Sequence, residues 1–149
     1  MLNDNLKLRG DVSIVLKNSK GEVKETREVK NLIVDTGLNV IMTRLAGTGV
    51  GVMTHMGVGT NNLTPAAGQT DLLGIAGVRE VLDSTTVSAN TITYVASFEA
   101  GKGTGGLVEA GIFNSNSGGE MLCRTTFPIV TKGADDVMSI TWTITLLAS

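Results

Sequence analysis

The fold class is decided near the carboxyl end of the chain, by Met138-Ser-Ile-Thr-Trp-Thr-Ile-Thr-Leu146. Large apolar side chains alternate there with hydroxyl side chains over nine residues. A period of two predicts a β-strand with one face toward a core and the other covered in hydroxyl groups. We expect Trp142, at the centre of this strand, to anchor the core.

The composition extends this prediction to the whole chain. The 149 residues include 19 Gly and 19 Thr, and only 3% of them are aromatic while 42% are hydrophobic. Thr favours pleated, half-buried strands, whereas Gly serves turns and weakens helices. We therefore predict a mainly β chain, residues 1–149 forming a single domain with an aliphatic core. Short strands between regular turn signals favour an antiparallel β-sandwich of the jelly-roll or immunoglobulin-like kind.

The amino-terminal part differs from the rest in charge. Residues 1–34 carry 12 charged side chains and the remaining 115 carry 14, so the larger part is poor in charge for a small domain. Within the first part, apolar residues alternate before the turn signal Asn18-Ser-Lys-Gly21, and Val23 and Val29 are the apolar points after it. Residues 6–30 are therefore expected to form a β-hairpin, and residues 1–30 a charged hairpin or arm.

The middle of the chain contains one helix candidate. From Asp35 to Ala46, and most firmly over residues 36–46, four apolar side chains share one helical face. These are Leu38, Ile41, Met42 and Leu45. A helix of twelve residues is marginal alone, so this face is expected to pack on a sheet.

The remaining strands are expected at 52–58, 77–83, 91–98, 108–113 and 121–127. A long loop at 59–70 separates the first two, and a turn at 88–90 precedes the third. The sequence Asn114-Ser-Asn-Ser-Gly-Gly119 joins the last two as a hairpin connection.

Several classes of function are disfavoured by composition. A net charge of −2 without a basic cluster argues against direct nucleic-acid binding. No apolar run approaches the length of a membrane span, and the polar start lacks a secretion signal. One cysteine and one histidine make a zinc site within one chain improbable, and a lone thiol fits a reducing cytosol.

No catalytic motif is complete. The Gly101–Gly106 segment lacks the order and the following helix of a phosphate-binding loop. His55 has no recognisable nucleophile partner, and Cys123 is better read as a small buried hydrophobe than as a thiol activated by Arg124. Paired acids for glycoside cleavage would have to come from carboxylates outside any motif: Glu80, Glu99, Glu109 and Glu120. We expect neither an enzyme nor a bound cofactor or metal.

Four groups of segments carry a family resemblance. They are Asn31-Leu-Ile-Val-Asp-Thr-Gly-Leu-Asn39 with Arg44-Leu-Ala-Gly47; His55-Met-Gly-Val-Gly-Thr60 with Pro65-Ala-Ala-Gly68; Val108-Glu-Ala-Gly-Ile-Phe-Asn114 with Gly119-Glu-Met-Leu-Cys-Arg-Thr125; and Thr131-Lys-Gly-Ala-Asp135 with Ile140-Thr-Trp-Thr-Ile144. From about residue 29 onward the chain resembles small virion structural proteins of tailed double-stranded DNA bacteriophages. The Glu-Ala-Gly-Ile-Phe-Asn segment also resembles tail-fibre attachment domains.

The resemblance implies a capsid decoration (cement) protein that binds the assembled shell, or alternatively a tail or fibre adaptor or a tail-fibre component. A glycan-binding module is the third hypothesis. The expected partners are the major capsid protein, or tail proteins, and further copies of the chain as a dimer or trimer. The expected location is the virion, assembled in the cytoplasm of a bacterial host. Exposure and turn chemistry suggest these contact residues: Lys17, Lys20, Lys24, Arg27, Asn61, Asn62 and Pro65.

Overall fold

The computed structural model describes residues 6–148. Strands account for 54% of the residues and helix for 8%, which confirms a mainly β chain with one helix. The elements are β1 (Leu6–Lys17), β2 (Val23–Ile33), α1 (Asp35–Leu45), β3 (His55–Gly59), β4 (Glu80–Val81), β5 (Ser84–Ser88), β6 (Thr91–Phe98), β7 (Gly105–Phe113), β8 (Met121–Lys132) and β9 (Val137–Ala148).

The strands form one antiparallel sheet in the order β4-β3-β7-β8-β2-β1-β9-β6-β5. The two strands at its opposite ends, β4 and β5, are joined by only Leu82 and Asp83. Such a connection spans at most about 11 Å, so the ends of the sheet must lie near each other. The sheet is accordingly curled into a half-barrel rather than laid out flat.

The core fills the concave side of the curled sheet. As predicted, residues 138–146 lie in a strand with Trp142 fully buried, and this strand, β9, pairs with β1 on one side and β6 on the other. Buried side chains of β1, β6 and β9 form one hydrophobic cluster with those of β3, β7 and β8, which lie on the opposite side of the core. The predicted alternation therefore faces inward at Met138, Ile140, Trp142 and Ile144, while Leu146 is exposed.

The expected amino-terminal hairpin is present: β1 and β2 pair in one register from Gly10 opposite Asn31 to Leu16 opposite Glu25, and the register shifts before Lys17, which lies opposite Val23. The Asn18 side chain closes its turn by accepting hydrogen bonds from the amides of Lys20 and Glu22. At its far end β2 leaves β1 and pairs with β8, where Ile33 lies opposite Cys123. The hairpin thus connects the two halves of the sheet, with β9, β6 and β5 on one side of it and β8, β7, β3 and β4 on the other.

The region 77–88 differs from the prediction. In place of a strand over 77–83, only Glu80 and Val81 pair with β3, and a separate strand, β5, follows at Ser84–Ser88. The sequence Ser-Thr-Thr-Val-Ser has no apolar alternation, because both of its faces are exposed. A period-two search for a buried face therefore misses it.

The helix has the predicted position, but of the four residues in its predicted apolar stripe only Ile41 packs against the core. Gly37 and Val40 are its buried residues. A Cβ at Gly37 would overlap the carbonyl oxygen of Leu122, so glycine allows the helix backbone to lie directly on β8. Leu38, Met42 and Leu45 consequently face away from the sheet.

A buried ion pair fixes the long connection between β3 and β4. Glu109 on β7 and Arg124 on β8 are both fully buried, with 2.9 Å between Nη2 and Oε2. The carboxylate also accepts hydrogen bonds from the amides of Leu73 and Gly74, and the guanidinium donates to the carbonyls of Asn61 and Leu63. Arg124 therefore holds residues 61–63 of the loop against the sheet, and Glu109 holds residues 73–74.

A second arginine holds the carboxyl-terminal end of the same loop. The Arg79 guanidinium lies 3.5 Å from the centre of the Phe113 ring and donates to the carbonyls of Ser115 and Gly118. It also pairs with Asp71 within the loop. The loop is therefore fastened to β7 and to the β7–β8 turn as well as to β8.

Arg124→Met should lower the free energy of unfolding by about 3–5 kcal/mol, because it leaves the Glu109 carboxylate buried without its counter-charge. Urea unfolding measures the loss, and limited proteolysis should show earlier cleavage within residues 60–79. Arg44→Met, which removes an exposed arginine outside any ion pair among the described residues, is the matched control and should change stability by less than about 0.5 kcal/mol. Equal losses in the two variants would contradict the role of the pair.

Candidate interaction surface

The four basic residues predicted as contacts lie on the hairpin, and within the described residues the side chains of Lys24 and Arg27 form hydrogen bonds while those of Lys17 and Lys20 form none. Lys17 and Lys20 are exposed at its tip. Lys24 forms an ion pair with the nearly buried Asp136, at 2.7 Å. Arg27 donates to the carbonyls of Pro128 and Ile129 on β8. Lys24 and Arg27 therefore bind the hairpin to its own domain.

The predicted loop residues divide in the same way. Asn61 is structural: its amide donates to Glu109, its carbonyl accepts from Arg124, and its side chain accepts from the Leu63 amide. Asn62 is exposed, and Pro65 is half-buried. Of the three, Asn62 presents the most surface to a partner.

The hairpin group and the loop group do not form one surface. Asn61 of the loop group contacts Arg124 near the start of β8, whereas Lys24 of the hairpin group contacts Asp136 in the turn after Lys132, at the end of β8. Eight residues of extended strand separate these positions by about 26 Å. The structure thus places the predicted contacts at two separate sites.

A different surface stands out, which sequence reasoning did not identify. The helix face, defined as Leu38, Met42 and Leu45, exposes 43%, 63% and 78% of these residues. Their spacing of four and three residues places them on one side of α1. Contiguous exposed apolar residues of this size commonly mark a protein contact.

The helix face borders an apolar groove of about 620 Å³ at the open side of the half-barrel. One wall is formed by α1 and the segment after it, and the other by β5 and β6. The floor is formed by core residues of β8 and β9. The lining comprises Val40, Ile41, Arg44, Leu45, Val52, Met53, Thr85, Val87, Ile92, Tyr94, Leu122 and Ile144. Arg44 carries the one formal charge among them, and burial raises the pKa of Tyr94 to about 12, which keeps its phenol neutral.

The fold accounts for the environment of three candidate catalytic residues, Cys123, Glu109 and His55. Burial raises the pKa of the Cys123 thiol, as expected for a buried small hydrophobe. Glu109 is committed to Arg124, and His55 Nδ1 lies 2.7 Å from the Thr54 hydroxyl. Over residues 6–148 we find no cluster of three or more metal-ligating side chains. Within the same range no helix is long and apolar enough to cross a bilayer.

The sequence contained partial signals for the helix face and for the buried pair of Glu109 and Arg124. The helix stripe was visible, yet its direction depended on Gly37 and on the contact that this residue makes with β8. The buried pair had a clearer signal, because Glu109 and Arg124 each interrupt an apolar run in one of two neighbouring strands. A lone acid and a lone base in paired apolar strands are expected to neutralise each other.

The contact between Lys24 and Asp136 predicts a pH dependence. Hydrogen bonds from the Lys24 ammonium and the Gly133 amide hold the pKa of the Asp136 carboxyl below its usual value. A depressed carboxyl pKa stabilises the fold above the unfolded-state pKa, and this contribution is lost as the pH falls through the folded-state pKa. Lys24→Met should therefore be less stable than the wild type at pH 7, and the difference should shrink below about pH 4.

Thermal unfolding between pH 2 and 7 measures this difference. Lys20→Met, at the exposed tip of the same hairpin, is the matched control and should follow the wild type across the range. A Lys24→Met deficit that is the same at pH 2 and pH 7 would show that the ion pair does not contribute.

In comparisons with known proteins, the chain matches no protein-family model, no curated protein and no solved structure at a significant level.

Proposed function

We propose that this chain is a bacteriophage virion structural protein without catalytic activity, specifically a capsid decoration protein that binds the assembled head shell. The observation that carries this proposal is the helix face, three large apolar side chains left uncovered on a firmly packed helix. The resemblance of residues 29–149 to small virion proteins of tailed phages supplies the kind of particle. The shell protein is then the main partner, and the virion, assembled in the bacterial cytoplasm, is the location.

The helix face suits such a role because it is available without rearrangement. Full burial of a large aliphatic side chain is worth about 1.5–3 kcal/mol, and Met42 and Leu45 each have more than half of that surface still to bury. A single contact of this size is weak. A protein that binds only the closed lattice nevertheless stabilises it by mass action, and many copies multiply the effect.

The loop and the hairpin tip would add polar contacts at the rim. Asn62 lies on a loop that two buried arginines hold in place, so little ordering entropy is lost when it binds. Lys17 and Lys20 have exposed ammonium groups that suit an acidic neighbour. We also propose that the two halves of the curled sheet are the layers of a sandwich of the jelly-roll or immunoglobulin-like kind.

A tail or tail-fibre adaptor with the same fold is the second candidate, because the helix face would serve equally well in a tail joint. A glycan-binding module is less well supported. All five aromatic side chains are buried, at Tyr94, Phe98, Phe113, Phe127 and Trp142. None of them is therefore available to stack on a sugar ring.

Met42→Ser combined with Leu45→Ser should abolish binding to heads that lack this protein, because it removes the apolar contact. The free energy of unfolding should change by less than about 0.5 kcal/mol, since both side chains are exposed. Co-sedimentation with purified heads measures binding. Asn39→Ser, an exposed polar change on the same helix, is the control and should bind like the wild type. Undiminished binding by the double variant would exclude the helix face.

Densitometry of purified virions, against the major shell band, decides between head and tail. The head proposal predicts hundreds of copies per particle, and the tail alternative predicts between about three and a few dozen, because lattice sites far outnumber tail positions. Absence of the chain from the particle would overturn both.

A further inference from the structure

The strand β5 forms one end of the sheet and is open on its outer side. It pairs with β6 along Ser84–Ser88, and no strand within residues 6–148 pairs with its other edge. All five residues are exposed, and Val87 shows 70% of its surface. An open edge presents unpaired amide and carbonyl groups to any strand that can approach.

The usual protection of an edge is missing from β5. Proteins block free edges with charged residues, proline or bulges, and Ser-Thr-Thr-Val-Ser has none of these. Its β-branched residues are instead those that favour strand pairing. The edge is therefore suited to receive another strand.

The sequence of β5 is also complementary to a second copy of the same strand. In an antiparallel pair centred on Thr86, Ser84 lies opposite Ser88 of the second strand, and Thr85 lies opposite Val87. Thr86 lies opposite its own copy, so every position meets a residue of similar size. The nearest charge, Asp83, lies opposite an alanine, Ala89, so no like charges meet.

We propose that β5 pairs with β5 of a second copy of this chain, in antiparallel register about Thr86, to form a symmetric dimer. The two half-barrels then share one continuous sheet. A two-fold axis requires a self-complementary patch, which the β5 sequence supplies. This inference deepens the proposed function by naming the chain's own copy as one partner, although the pairing itself does not depend on phage origin.

The groove adds an apolar component to this interface. Thr85 and Val87 line the groove, so they point to its side of the sheet, while Thr86 points to the opposite side. In the dimer, Val87 of the second copy enters at the mouth of the groove, toward the wall that contains Leu45 and Val52. Pairing therefore joins backbone hydrogen bonds to burial of side chains that are exposed in the single chain.

Sedimentation equilibrium on the full chain tests the dimer. The wild type should show twice the chain mass of 15.5 kDa at high concentration. Thr86→Lys places two like charges face to face and should raise the dimer dissociation constant at least about tenfold. Thr26→Lys, the same change at an exposed position inside the sheet, should dimerise like the wild type. A wild type that stays monomeric at high concentration would overturn the proposal.

Cysteine crosslinking tests the register without depending on a destabilising charge. Thr86→Cys should form an interchain disulfide on mild oxidation, because directly opposed Cβ atoms approach the spacing of a disulfide. A mixture of Thr85→Cys and Val87→Cys chains, one carrying a size tag, should crosslink between the two variants more than either does alone. The native Cys123 is buried and does not interfere. Crosslinking at other positions but not at these would contradict the register.

The outcomes separate this inference from the proposed function. A dimer in solution that is missing from phage particles would retain the pairing and overturn the virion role. A monomer that is abundant in particles would retain the virion role and overturn the pairing. A monomer whose Thr86→Lys variant no longer binds heads would also overturn it, and would assign the edge to a strand of the shell.

Discussion

The short connection between β4 and β5 is the constraint on which the rest of the structure depends. Because Leu82 and Asp83 join strands at opposite ends of the sheet, the sheet has to curl. Curling brings the apolar faces of β9 and β7 together and creates the core. It also leaves the gap that becomes the groove, with the uncovered edge of β5 on one side and the helix on the other.

A few buried charged side chains hold the fold together. The pair formed by Glu109 and Arg124 and the stacked Arg79 together hold a loop that has almost no regular structure of its own. On the outside, Lys24 and Arg27 bind the hairpin to β8 and to the turn after it. The exposed surface combines the apolar helix face with charged side chains such as Lys17 and Lys20 at the hairpin tip.

Prediction from sequence succeeded where a residue's environment repeats along the chain. The alternation in β9, the turn at Asn18 and the position of the helix were all found, because each has a local periodic or turn signal. It failed for β5, which is exposed on both faces and therefore has no alternation. It also did not find the partners of Lys24 and Arg27, because these partners, on and after β8, lie more than 100 residues away.

The sequence by itself determined an antiparallel β protein with an aliphatic core and one amphipathic helix, because those properties follow from spacing and composition. Only the tertiary structure decided which way the helix faces and which strand lies at the edge. Both depend on close contacts between distant segments: the backbone of Gly37 against Leu122, and the meeting of the two ends of the sheet. Local periodicity contains no information about such contacts, and the surfaces proposed to bind partners follow from them.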